Sequence, residues 1–148
     1  MNRREFIGFG IMALAVLPAS LSALDYRKEK PAAWKAKTVD SALEALYGKQ
    51  TYIEKGIKLK VPKVASNGGA IPVDIKTDIE AKSVAVFQDS NPESAVAVFT
   101  VPDGQPVNYG IKIKMKKSGA ITIAVEGKDG KFYKVSKSLE VALGGCEG

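Results

Sequence analysis

The chain has no histidine and only one cysteine in 148 residues. Without imidazole it can build neither a Cys-His dyad nor a Ser-His-Asp triad, nor any histidine-ligated metal site. With one thiol it can form no internal disulfide and no Cys-x-x-Cys redox pair. There is a single tryptophan, and aromatic residues make up only 7% of the chain. No pattern marks a cofactor site, so none is expected. Long apolar runs are missing too. The best candidate, Ile11 to Leu17, is far short of the roughly 18 residues that cross a bilayer, and Pro18 interrupts it.

What the first residues do contain is an export signal. Arg3-Arg4, then Phe6-Ile7, the short apolar run, the bend at Pro18 and small residues ending at Ala23 form a signal peptide of twin-arginine type over residues 1–23. Cleavage near Ala23 predicts a periplasmic protein with no membrane span. A lipoprotein would need a cysteine at the cleavage site, and none is there. The twin-arginine route carries folded proteins, which, with no cofactor expected, points to a partner bound before export. About 125 residues then remain, enough for one domain with a single core. The formal charge of +6 falls to +5 once Arg3, Arg4 and Glu5 are removed. That modest, scattered excess suits anionic small molecules or an acidic protein face better than nucleic acid.

The lone thiol stands at the other end, in Gly144-Gly145-Cys146-Glu147-Gly148. Two glycines before a thiol make a slim, flexible arm for residues 144–148. From Leu143 to Cys146 an extended backbone spans about 10 Å. In an oxidising compartment an unpaired exported thiol is either joined to another molecule or chemically used. Glu147 and the carboxylate of Gly148 disfavour the thiolate. Cys146 therefore reads as an acceptor worked on by other proteins, with Gly144, Gly145, Glu147 and Gly148 as its hinge and surroundings. Two other classes stay open. A secreted immunoglobulin-like binding module using Cys146 for an intermolecular disulfide, including self-pairing, would give a reducible dimer without cargo. A thiol peroxidase would turn over peroxide unaided, against the lack of histidine and of a resolving cysteine.

Between the two ends the apolar pattern changes period. Residues 24–55 form an N-terminal unit: a polar, Lys-rich and extended lead-in to Lys37 with Trp34 as its anchor, then one short amphipathic helix. Val39, Ala42, Leu43, Leu46 and Tyr47 have helical spacing, Ser41 and Glu44 suggest a capping box, and Gly48 sits where a helix stops. Its apolar face would cover an open end of the domain or a partner. From Gly56 to Leu143 the period is two. Ile57-Leu59-Val61, Ile71-Val73-Ile75, Val84 to Gln88, Ala95 to Thr100, Ile111-Ile113-Met115, Ile121-Ile123-Val125 and Phe132 to Leu143 are separated by turn signals. About seven short strands predict a mainly β protein, an immunoglobulin-like antiparallel sandwich, with a small barrel as the alternative architecture. The comb Lys112-Lys114-Lys116 reads first as a solvated or edge-protecting strand face, and second as a docking stripe for an acidic surface.

Val61 to Val73 (VPKVASNGGAIPV), Val86 to Pro92 (VFQDSNP), Asp129 to Tyr133 (DGKFY) and the Gly-Gly-Cys ending together resemble the SoxY family, the carrier subunits of the bacterial sulfur-oxidation (Sox) system. The resemblance runs over nearly the whole mature chain. It implies that Cys146 holds sulfur intermediates covalently on a swinging arm, without catalysis by the chain itself. It also implies a heterodimer with SoxZ, exported together. The arm would be served by the cytochrome c complex SoxAX, which couples thiosulfate to the thiol, by the hydrolase SoxB, and in some systems by the sulfane dehydrogenase SoxCD. The family usually ends in Gly-Gly-Cys-Gly-Gly. Here Glu147 replaces a glycine, which bears on which enzymes accept the arm.

Overall fold

In a computed structural model, residues 24–142 are described. The expected signal segment 1–23 and carrier arm 144–148 lie outside them.

The lead-in is helical rather than extended. Asp25 caps α1 (Tyr26–Glu29) by accepting the Arg27 N–H, and Pro31 opens α2 (Pro31–Lys35). Proline's fixed φ suits a first helical turn, where its missing N–H is not needed, so it starts a helix here instead of breaking one. The Arg27 guanidinium lies 4.2 Å over the Trp34 ring. The cap of helix α3 (Val39–Tyr47) lies three positions before the expected Ser41. Thr38 is the N-cap: its hydroxyl accepts the Ser41 N–H at 3.2 Å, and Ser41 Oγ accepts the Thr38 N–H at 3.3 Å. Glu44, expected in that box, instead approaches Lys49 at 4.0 Å. Gly48 stops the helix at φ 75°, a left-handed conformation that glycine adopts without a Cβ penalty.

Among the described residues nine strands follow: β1 (Tyr52–Ile53), β2 (Ile57–Lys60), β3 (Val64–Ala65), β4 (Ile71–Thr77), β5 (Ala81–Gln88), β6 (Ala95–Thr100), β7 (Val107–Ile113), β8 (Gly119–Gly127) and β9 (Phe132–Val141). They form two sheets. The larger runs β1-β9-β8-β5-β6, with β3 also paired to β9, and the smaller runs β2-β4-β7. The long strands pair antiparallel, as the alternation predicts, whereas the two-residue strands β1 and β3 both lie parallel to β9.

Small-sheet strands keep strict alternation because water covers one face. Ile71, Val73 and Ile75 point inward, while Pro72, Asp74 and Lys76 point out. Lys112 and Lys114 are exposed, and β7 is an edge strand, in agreement with the edge-protecting reading of the comb. Strand β5 is buried on both faces instead. Its Val84 and Val86 join Ile121, Ile123 and Val125 in the core between the sheets. Its Ala85 and Phe87, with Ala124, pack under Ala33, Ala42, Leu43 and Leu46 of α2 and α3. The helix thus covers the outer face of the large sheet, neither an open end nor a partner surface. Ala85 and Ala124 are cross-strand neighbours, and their small side chains let the helix approach closely. Truncating Leu43 to alanine on this seat would cost about 2–5 kcal/mol.

Candidate functional site

Cys146, the arm residues Gly144, Gly145, Glu147 and Gly148, and the signal pair Arg3 and Arg4 all lie outside the described residues. The structure does define the ground from which that tail departs, because β9 ends at Val141, five residues before the thiol.

The end of β9 is held on both sides. Along one side, Val64 and Ala65 lie opposite Glu140 and Val141, the Glu140 N–H donates to Lys63 O at 2.9 Å, and the Ala142 N–H donates to Ala65 O at 2.9 Å. Along the other, Leu139 is paired with Gly119, and the Val141 N–H donates to Ser118 Oγ at 2.9 Å. Backbone bonds on both flanks fix the direction in which the chain leaves the sheet.

Three loops are laced together beside that exit. Gln88, only 1% exposed, donates from Nε2 to Glu93 O at 2.7 Å. Its Oε1 accepts from the Ser90 and Asn91 N–H groups, both at 2.7 Å. Asn91 then bridges to the next loop: its Nδ2 donates to Lys114 O at 2.8 Å and its Oδ1 accepts the Lys116 N–H at 2.9 Å. Asp89 Oδ1 accepts the Ala120 N–H at 2.7 Å. It sits where a Cβ on residue 119 would be, which is why that residue is glycine. The third loop joins through Met115, whose N–H donates to Gly68 O at 2.9 Å, and folds on itself through Asn67, whose side chain accepts the Gly69 N–H.

A buried amide with satisfied acceptor and donor atoms, and a side-chain amide bonded to two backbone groups of another loop, hold loops rigid. The arrangement is a braced platform with lysines Lys63, Lys114, Lys116 and Lys117 exposed on it. Among the described residues no group of three or more acidic, cysteine or histidine side chains is placed to hold a metal ion, and no helix is long and apolar enough to cross a membrane.

Two of the segments that carried the family resemblance, residues 61–73 and 86–92, meet at this platform although they are distant in sequence. The third, residues 129–133, forms the β8–β9 turn at the opposite end of the sheet, where Tyr133 Oη donates to Asp129 Oδ2 at 2.7 Å and holds the Asp129 carboxyl below its usual range. Sequence reasoning treated Asp89-Ser90-Asn91-Pro92 only as a turn and missed Gln88, Asn91 and Ser118 as braces of the exit. The available signal was the polar Gln88 closing an otherwise apolar strand.

The aromatic side chains gather elsewhere. Tyr47 and Tyr52 flank Phe132, at ring distances of 5.3 and 6.1 Å. Tyr47 Oη and Ser83 Oγ are 2.7 Å apart, and Ser83 Oγ donates to Glu126 Oε2 at 3.1 Å. Burial raises the Tyr47 phenol well above its ordinary range, with the Glu126 charge adding to it. Burial and the Asp40 charge push Tyr52 up to about 12.

The family model described as sulfur oxidation protein SoxY matches residues 43–146. Among solved structures, the sulfur carrier protein SoxY from Chlorobium limicola f. thiosulfatophilum is similar at a TM-score of 0.64 and 26% identity, covering 71% of this chain and 96% of that one. A superoxide reductase (neelaredoxin) from Ignicoccus hospitalis matches at a TM-score of 0.52 and 14% identity, over 60% of this chain and 81% of that one, a likeness of fold alone. No curated protein sequence matches the chain.

Proposed function

The chain belongs to the SoxY family of sulfur oxidation proteins, and from that premise we propose that it is a periplasmic carrier whose Cys146 holds sulfur covalently and presents it to successive enzymes. The observation that carries this reading is that the family match runs through residue 146, and so includes the thiol.

Loading is an oxidation. The Cys146 thiol and thiosulfate lose one proton and two electrons and form an S–S bond, giving Cys–S–S–SO3⁻. The electrons pass to the haem cytochrome complex SoxAX. Water then attacks the terminal sulfonate in SoxB, the S–SO3 bond breaks, and hydrogen sulfate leaves a persulfide on Cys146. Where SoxCD is present, it oxidises that remaining sulfur. The chain has no histidine to serve as base, so proton removal and the positive field that favours a thiolate fall to the enzymes. Its own part is mechanical. The Gly144-Gly145 hinge carries the sulfur away from a rigid body, and the braced platform gives each enzyme a constant surface to dock on. Export folded by the twin-arginine route, bound to SoxZ, fits a carrier without a cofactor.

The test is intact mass of the mature protein from its own cells grown on a reduced sulfur compound, before and after a thiol reductant. Added sulfur or sulfonate on the C-terminal peptide, lost on reduction, is the expected result. A bare thiol, or one joined only to another protein, would overturn the carrier reading in favour of an intermolecular disulfide.

A further inference from the structure

The two sheets present four edges, and three of them are defended. Strand β2 carries exposed Lys58 and Lys60, and β7 carries exposed Lys112. Beyond β9 stand only the two-residue strands β1 and β3. Lysines and very short strands are the usual means by which a sheet avoids adding foreign strands. The fourth edge is different. Strand β6 reads Ala95-Val96-Ala97-Val98-Phe99-Thr100, six residues without a charge or a proline, and among the described residues pairs on one side only, with β5.

Its open side offers hydrogen bonds. The Val101 N–H donates to Lys82 O at 2.9 Å across the β5–β6 pair. Antiparallel alternation then turns the N–H groups of Phe99 and Ala97 toward β5 and those of Val98 and Thr100 outward. Neither outward N–H has a partner among the described residues. Apolar surface accompanies them: Ala95 to Phe99 are only partly buried, and Phe99 lies against Tyr109 of β7 at a ring distance of 5.4 Å.

The surroundings are basic. The Ser94 N–H donates to Ala36 O at 3.1 Å, which brings the exposed Lys35 and Lys37 beside the start of β6 on the helix side. On the other side, Asn91 fixes the segment bearing the exposed Lys114 and Lys116. Against these four lysines stand Glu93 and Asp89, the latter with one oxygen engaged by the Ala120 N–H. A second copy of the mature chain would bring the same lysines and the same net charge, +5 once Arg3, Arg4 and Glu5 are removed from the +6 of the full sequence.

We propose that β6 is the edge to which the partner subunit adds a strand, one rich in β-branched or aromatic residues and flanked by carboxylates. This rests on the reading of the chain as half of a heterodimer. Backbone bonds to Val98 and Thr100 supply affinity, the half-buried apolar side chains supply fit, and the lysine frame selects an acidic rim over self-pairing.

The experiment uses the full mature chain with SoxZ from the same organism, and reads amide exchange by NMR with binding followed by calorimetry. In the complex, exchange at Val98 and Thr100 slows by at least about tenfold while the outward amides of β2 and β7 keep their rates. Thr100→Pro removes an outward donor at an exposed position and weakens binding about tenfold or more. The amide spectrum of the unbound variant verifies its fold. Raising salt from about 0.1 to 1 M, which shortens the screening length to about 3 Å, weakens binding in parallel. Binding that leaves Val98 and Thr100 unprotected overturns the edge assignment and leaves the heterodimer standing. A chain that binds no SoxZ overturns both. Protection of Val98 and Thr100 in a homodimer overturns the acidic partner.

Discussion

Ser118 Oγ accepts the backbone N–H of Val141 at 2.9 Å, so one hydroxyl from the β7–β8 connection pins the last residue of β9. The side chain braces a backbone group that no strand bonds from that side. Ser118→Ala is expected to cost about 1 kcal/mol, the net worth of one such bond. Faster amide exchange at Val141 and Ala142, with sulfur loading at Cys146 unchanged, is the predicted pair of results. An unaltered exchange rate would show that β3 alone holds the exit.

Gln88 is the more expensive brace to lose. Gln88→Leu keeps the volume but strands the Ser90 and Asn91 N–H groups and Glu93 O, which that amide satisfies. Two or three groups left without partners cost about 3 kcal/mol in total. Differential scanning calorimetry should then place Tm lower by roughly 10 °C. A shift of a degree or two would mean that water replaces the amide and that the loops are not held by it.

Alkaline solution is expected to unfold the protein through its tyrosines. Tyr47 and Tyr52 both titrate higher in the folded chain than at the ordinary value of 10.0. Their contribution to stability is therefore complete below pH 10, and is lost as the unfolded state gives up its phenolic protons while the folded state keeps them. Denaturant melts between about pH 9 and pH 12 should show stability falling steadily. Tyr47→Phe should flatten that fall. A slope identical in the variant would locate the alkaline sensitivity in other groups.

Substitutions in the tail should separate chemistry from folding. Cys146→Ser is predicted to carry no sulfur in intact-mass spectra at an unchanged Tm. Glu147→Gly is predicted to fold identically and to differ only in rates with the partner enzymes. A marked change of Tm in either variant would contradict an arm that leaves the folded body at Ala142.

The strands and turns were legible because alternation is written locally: Ile71-Val73-Ile75 against Pro72-Asp74-Lys76 needs no tertiary information. The helical spacing from Val39 was legible, but the capping box was placed a turn too late because Thr38, Ser41 and Glu44 all suit a helix N-terminus, and only the extended backbone at Thr38 decides among them. The lead-in was misread because Pro31 breaks a helix or begins one according to what precedes it, and the Asp25 cap with the turn at Tyr26 settled that. Strands β1 and β3 could not be found, since two residues carry no period and their pairing is with β9, some eighty residues away. The thiol and its glycines were legible as a motif. The bracing of their exit was not, because Gln88, Asn91, Gly119 and Ser118 come together only when three loops fold against one another.

The order of the large sheet, β1-β9-β8-β5-β6, also sets a timetable for the chain's assembly. Among the described residues the last strand in chain order is an interior one, and β1 and β3 have no strand neighbour until it arrives. Until β9 (Phe132–Val141) is made, the large sheet lacks an interior strand, so its closing waits for these residues. A transcript or a protease that trims the chain back into β9 therefore removes more than the segment with Cys146: it deprives two earlier strands of their seat. A chain with a complete large sheet is accordingly one in which synthesis has reached at least Val141, five residues before Cys146.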